Sequence, residues 1–309
     1  MLNDSHCHFF SSQFFSTLSR QRGRTDTVES LCRELQWDDP GSPNALADRW
    51  VQELDANGVA RSALIASVPG DEASVAAAVS QHPRRFVGFF MVDPSHEQAV
   101  ERAAHAVTTL GLRVACLFPA MHHVALTDPR VHRVVDAVAA QPGTAVFVHC
   151  GVLSVGVRKK LGLPSPFDLS LGDPLSITRL ALTFPRLPFI VPHFGAGMLR
   201  ETMMAGDACP NVHVDTSSSN SWIRYAPGWT LPGVFKTAMS VLGPSRILFG
   251  TDSSFFPRGW QRAVYQSQKT AATEAGISDS DQALIFGGTS IDYFPRKCIR
   301  STHEGHRRP

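Results

Sequence analysis

The sequence predicts an α/β fold, a single (β/α)8 TIM barrel with long loops after strands 1, 5 and 7. Three observations carry this expectation. Short apolar runs alternate with amphipathic stretches along nearly the whole chain, the repeating unit of a parallel barrel. The runs are apolar almost throughout (AVFVH, FIVPH, ILFGTD), as expected of parallel strands covered on both faces. The length of 309 residues suits one large α/β barrel. An open doubly wound sheet is the alternative, but no GxGxxG follows the first run.

In chain order, strands are predicted over 2–9, 61–67, 86–92, 113–118, 144–149, 187–193, 211–216 and 246–251. Helices are predicted over 45–57, 72–81, 96–110, 129–140, 175–184, 198–208, 231–242 and 261–275. Asn57-Gly58 reads as a helix C-terminus, and Ser95, Asp128 and Asp173 stand at N-cap positions. The connectors 11–44, 151–173 and 217–229 are too long for plain turns. All three follow strand C-terminal ends, the face on which barrel active sites are built. The barrel is expected to occupy 1–294, and the basic, aperiodic tail 295–309 is expected to be disordered.

Composition narrows the function. A net charge of +2 with 18% charged residues gives no basic face for nucleic acid and no polybasic membrane anchor, so a small-molecule substrate in a pocket is expected. No window approaches the roughly 18 apolar residues of a membrane span, and the first residues lack a signal-peptide pattern. The six cysteines form no CxxC pair. Reduced thiols in a cytoplasmic protein are the reading.

The chemistry begins at Asp4-Ser5-His6-Cys7-His8. Residues two apart on a strand share a side, so His6 and His8 face one direction and can grip one cation. Taken alone, an HxH pair reads more readily as two core or surface histidines than as ligands. Three further residues end other runs in the same way: His149, His193 and Asp252. Burying one such polar group without a partner costs roughly 2–7 kcal/mol, and more for a carboxylate. Five at one end of a barrel are therefore hard to explain as packing.

This set, HxH on strand 1 with His on strands 5 and 6 and Asp on strand 8, resembles the amidohydrolase superfamily. More narrowly it resembles the amidohydrolase-2 group, with further matches at Pro83-Arg84-Arg85-Phe86-Val87-Gly88, Phe184-Pro185-Arg186-Leu187-Pro188 and Leu248-Phe249-Gly250-Thr251-Asp252. The resemblance implies one divalent metal ion, usually zinc and in some members manganese, held by His6, His8, His149 and Asp252. His193 is then the acid/base beside it, with Asp252 also taking part in proton transfer. Binuclear members carry a carboxylated Lys on strand 4. The stretch Val114-Ala115-Cys116-Leu117-Phe118-Pro119 has none, so a single metal is expected. The resemblance is also compatible with a homodimer.

Substrate contacts are expected from Arg158 in the basic run 158–160 and from Arg258 after strand 8, since guanidinium grips a carboxylate bidentately. Phe9, Phe14 and their neighbours Phe10 and Phe15 are candidates for an apolar wall, and His122 for a further contact. Alternation turns Cys7 away from the site, whereas Cys150 is placed to line it. Alternation puts His213 on the same side of strand 7 as Asp215, and His213 reads as core or pocket wall rather than ligand. The expected activity is metal-assisted hydrolysis of a small amide, imide, lactone or C–C bond. Non-oxidative decarboxylation of an aromatic or dienoic acid is the alternative, and an inactive metal-binding scaffold the remote one.

Overall fold

The computed structural model describes residues 1–288. Eight parallel strands run in sequence order: β1 (Leu2–Phe9), β2 (Val59–Ala66), β3 (Phe86–Val92), β4 (Val114–Leu117), β5 (Ala145–Val148), β6 (Phe189–Val191), β7 (Val212–Asp215) and β8 (Ile247–Leu248). The sheet closes through the segment after β8. Ser5 N donates to Phe249 O at 2.8 Å, His8 N to Ser253 O at 2.7 Å and Asp252 N to His6 O at 2.9 Å. The Asp4 carboxylate reinforces this seam, accepting from Thr251 N (3.1 Å) and Trp260 Nε1 (2.7 Å). Helices separate successive strands, so the predicted (β/α)8 barrel is the observed fold. None is long and apolar enough to cross a membrane among the described residues. The tail 295–309, and the end of the expected barrel beyond 288, lie outside the described residues.

Alternation sorts each strand into two cores. Outward residues such as Cys7, Phe9, Leu64 and Phe90 meet the helices, while Ile65, Phe89, Cys116, Phe147 and Ile190 fill the barrel. Each fully buried ring among them contributes roughly 1.5–3 kcal/mol. Cys116 is thus packed in the apolar interior. Phe147 lies 5.3 Å from the His6 ring and forms the floor beneath it.

The strands carrying His149, His193 and Asp252 stop short of the predicted ends. The backbone leaves the extended region there: His193 has φ 55° and Asp252 φ 62°, left-handed conformations that a ladder cannot contain. Asp128 and Asp173 cap as predicted, accepting from Arg130 N and Leu175 N, and Gly58 follows its helix with φ 69°. Ser95 does not cap. Its amide and hydroxyl both donate to the Asp93 carboxylate, which makes a turn, and the helix begins later at Ala99–Thr108.

Two of the long connectors fold against each other. The first contains helices Ser12–Gln21 and Val28–Leu35, the second the short helix Gly156–Lys160. Phe14, Leu18, Leu31 and Leu35 of the first pack with Val157, Leu161 and Leu163 of the second in a third apolar cluster, separate from both barrel cores. Ser11 anchors this roof. Its hydroxyl accepts from Gln13 N and Phe14 N and donates to Asp71 Oδ2 at 2.6 Å. Asp71 is 1% exposed, its other oxygen has no partner, and burial pushes its pKa up to about 6. The folded protein therefore keeps a proton that the unfolded chain releases near pH 4. Stability falls as pH rises from about 4 to 6, and the penalty persists above that. Asp71→Asn, which keeps an acceptor for Ser11, should raise the unfolding free energy by roughly 2 kcal/mol at pH 8 and change little at pH 4, as read by chemical denaturation at both pH values.

Candidate metal centre

The residues at the top of β1 meet those at the end of β8 and of β7. His6 Nε2 and His8 Nε2 converge on Asp252 Oδ1, at 3.7 and 3.2 Å. Their other nitrogens are pinned from behind: His6 Nδ1 by Asp215 Oδ2 at 2.8 Å, His8 Nδ1 by the Ser67 hydroxyl at 2.7 Å. This is the arrangement by which outer hydrogen bonds fix the tautomer and direction of a ligating imidazole. Gly250 lets the strands approach, for a Cβ there would lie 2.8 Å from His6 Cβ and 3.0 Å from Ser217 Cβ.

Asp215 ties His193 to the same group. Its Oδ1 accepts the backbone N–H of His193 at 3.1 Å and that of Ser217 at 2.9 Å, and also the Ser217 hydroxyl. Having donated its proton to Asp215, that hydroxyl accepts at 2.9 Å from His6 Nδ1 and at 2.8 Å from His193 Nδ1. Both rings are therefore assigned Nδ1–H, which leaves each Nε2 free for chemistry. His149 stands beyond His193, ring centroids 5.3 Å apart, with Phe118 against its face at 5.4 Å. Its Nδ1 is buried with no partner in the protein.

The electrostatics match a cation-binding role. Burial lowers the pKa of His8 and His193 and takes His149 well below the usual imidazole range, so all three favour the neutral, ligating form. Burial opposes charge on His6 too, but the carboxylates of Asp215 and Asp252 outweigh it and raise its pKa. Burial likewise opposes charge on Asp252 and Asp215. Hydrogen bonding from His8 and the charge of His6 nonetheless hold Asp252 below the carboxylate range, and His6 brings Asp215 to about 2. Two carboxylates held ionised beside His6 are a set that a divalent cation can occupy. His6, His8 and Asp252 bring one ligand atom each to within 4.8 Å of one another, as do His6, His193 and Asp215. His149 belongs to neither trio, but its orphaned nitrogen fits a group supplied from outside the protein.

The centre opens into a cavity of about 410 Å³ under the roof, lined by Phe10, Phe14, Trp37, Phe118, Phe255, Lys160 and Arg258 among others. Phe14 and Arg258 thus lie where sequence reasoning placed them. Phe9 does not. It is fully buried on the outer side with Cys7, because the alternation that turns His8 inward turns its neighbour outward, and Phe10 takes its place. Arg158 is spent on the Pro164 carbonyl and the Gln21 side chain, and Lys160, two positions on, reaches the cavity instead. His122 sits in the one-turn helix Pro119–His122 beside a small apolar void lined by Pro94 and Val124, away from the centre. Cys150 is buried in the outer core and does not line the site. His213 is buried in β7 opposite Ile190.

Asp215, Ser217 and Ser67 were not identified as site residues from sequence. Asp215 ends an apolar run (VHVD) as Asp252 nearly does, so the criterion that singled out Asp252 would have found it. Trp37 and Phe255 carried no such signal, since both sit in irregular chain.

The chain belongs to the amidohydrolase family, whose model matches residues 4–296. It is an enzyme of that superfamily. Among solved structures, 5-carboxyvanillate decarboxylase from Novosphingobium aromaticivorans, complexed with manganese and 4-hydroxy-3-methoxy-5-nitrobenzoic acid, is 16% identical over 95% of this chain and 96% of its own, with a TM-score of 0.62. A probable 2-pyrone-4,6-dicarboxylic acid hydrolase from Acinetobacter baumannii is 14% identical over 95% and 98%, with a TM-score of 0.60. An amidohydrolase from Burkholderia multivorans with bound zinc is 17% identical over 96% and 100%, with a TM-score of 0.60. At these identities the likeness is one of fold. No curated protein matches the sequence.

Proposed function

We propose that the protein hydrolyses a small carbonyl compound at a single divalent metal ion held by His6, His8, His149 and Asp252. The observation that carries this reading is the pair of imidazoles aimed at Asp252 Oδ1 and pinned from behind by Asp215 and Ser67. Zinc is the proposed ion, with manganese the alternative; relatives of the same fold hold one or the other. When bound, such an ion polarises a carbonyl or carboxylate oxygen and acidifies water.

The chain's own residues supply the rest. Asp252, ionised and the least buried member of the group at 33% side-chain exposure, accepts the proton of the attacking water. His193, neutral and with Nδ1 held by Ser217, faces substrate with Nε2. Asp252 passes the water's proton on to the leaving group, directly or by way of His193 Nε2, which in its protonated form also hydrogen-bonds the developing oxyanion. The five cysteines described are all free thiols, in keeping with the cytoplasmic setting proposed.

Decarboxylation is the second reading, favoured by Arg258 and the aromatic lining of the cavity, which suit an aromatic acid. There the carboxyl group leaves as CO2, and the carbon left behind takes a proton that His193 or Asp252 has first drawn from solvent. Metal-replete protein offered lactones, imides and amides beside a panel of aromatic and dienoic acids separates the two. Hydrolysis without CO2 release is expected. CO2 from the acids with no hydrolysis of the others overturns the hydrolytic reading.

A further inference from the structure

The charges around the cavity do not cancel, and the surplus indicates what the cavity takes. This step rests on the metal-dependent reading above. Asp252 and Asp215 are the carboxylates in contact with His6, and together they balance one divalent cation whose imidazole ligands are neutral. Two cations remain on the lining, Arg258 and Lys160. Arg258 Nη2 donates to the Asp252 carbonyl at 3.3 Å and the Ser254 hydroxyl at 2.7 Å, neither of them charged. Lys160 has no ion pair among the described residues, only the face of Trp37 at 5.5 Å.

Their placing is as informative as their sign. The rings of Trp37 and Phe255 stack at 3.7 Å and 12°, too close for anything to lie between them. The Arg258 guanidinium, 4.5 Å from the Phe255 centroid, and the Lys160 ammonium, 5.5 Å from that of Trp37, therefore each stand against a different ring of the stack. One cation stands beside Asp252; the other is carried by the short helix Gly156–Lys160.

We propose that the substrate is a dianion, a flat molecule with acid groups at opposite ends, one gripped by Arg258 and the other met by Lys160. The planar guanidinium suits a carboxylate held in fixed register near the reacting centre, and the flexible ammonium suits a group whose distance varies. Phe10, Phe14 and Phe118 provide the apolar contact for the body between.

Calorimetric binding of benzoate, isophthalate, terephthalate and trans,trans-muconate to the metal-loaded protein tests this. At least one diacid is expected to bind about tenfold tighter than benzoate at low salt, a gap that narrows in 0.5 M salt. Lys160→Gln, an exposed position, should weaken that diacid about five- to tenfold and leave benzoate at its wild-type affinity. The proposal is overturned if no diacid exceeds benzoate, or if Lys160→Gln changes diacid and benzoate alike or neither. Binding is read without turnover. A protein that prefers diacids but transforms no substrate would overturn the reaction proposed above and leave the dianion assignment standing. Hydrolysis of neutral or monoanionic substrates with no diacid preference would do the reverse.

Discussion

His6→Ala is expected to lose bound metal and turnover together, whereas His193→Ala keeps the metal and loses turnover by about 10²–10⁴-fold. The asymmetry follows from what each ring faces. His6 Nε2 points at Asp252, within the cluster of possible ligand atoms, and its removal takes one arm from the grip. His193 is tied by Nδ1 to Ser217 and by its backbone N–H to Asp215, which leaves one nitrogen for a proton and none required for the ion. Metal content after gel filtration, read beside kcat, decides the matter. If His193→Ala emerges without metal, its role as acid/base is wrong and it belongs among the ligands.

Asp215→Asn should weaken metal binding by about 10–100-fold, as is typical when the group behind a ligating histidine is lost, and lower kcat as well. The carboxylate accepts from His6, from two backbone amides and from Ser217. The amide keeps its shape but loses the charge and one acceptor. His6 is then free to turn or to change tautomer, and Ser217 no longer holds His193 in one form. A chelator-competition titration gives the affinity, and circular dichroism checks that the variant is folded. A folded variant with parental affinity would show that Asp215 does not orient the ligand.

Sequence reasoning reached the barrel because its evidence was periodic. β1 and β3, and the helices Glu72–Gln81 and Leu231–Leu242, have the predicted bounds. It singled out His6, His8, His149, His193 and Asp252 because ionisable groups at strand ends are conspicuous, and the fold brings these side chains to one end of the barrel. It did not reach the helices inside the first long connector, although Ser11 and Thr27 cap them. Their apolar faces are covered by a second insertion more than a hundred residues away, so nothing local shows what they are for. The same contact decides between Arg158 and Lys160. The basic run winds into one helical turn, and docking against the first connector chooses which of its side chains turns toward the cavity. Phe9 was within reach, since the alternation that excluded Cys7 also excludes it.

The seam that closes the barrel sets an order of events in the cell. His6 and His8 leave the ribosome first, and Asp252 is joined to them only when Ser253 and Phe249 pair with β1. Thr251 and Asp4, bonded across that seam, are 247 residues apart in the chain, an interval on the order of tens of seconds of synthesis. Through that interval the nascent chain carries the imidazoles of the site without Asp252 and cannot assemble the centre. Completion of the site and closure of the barrel seam are one event, so capture of a metal ion marks a chain folded through the segment after β8.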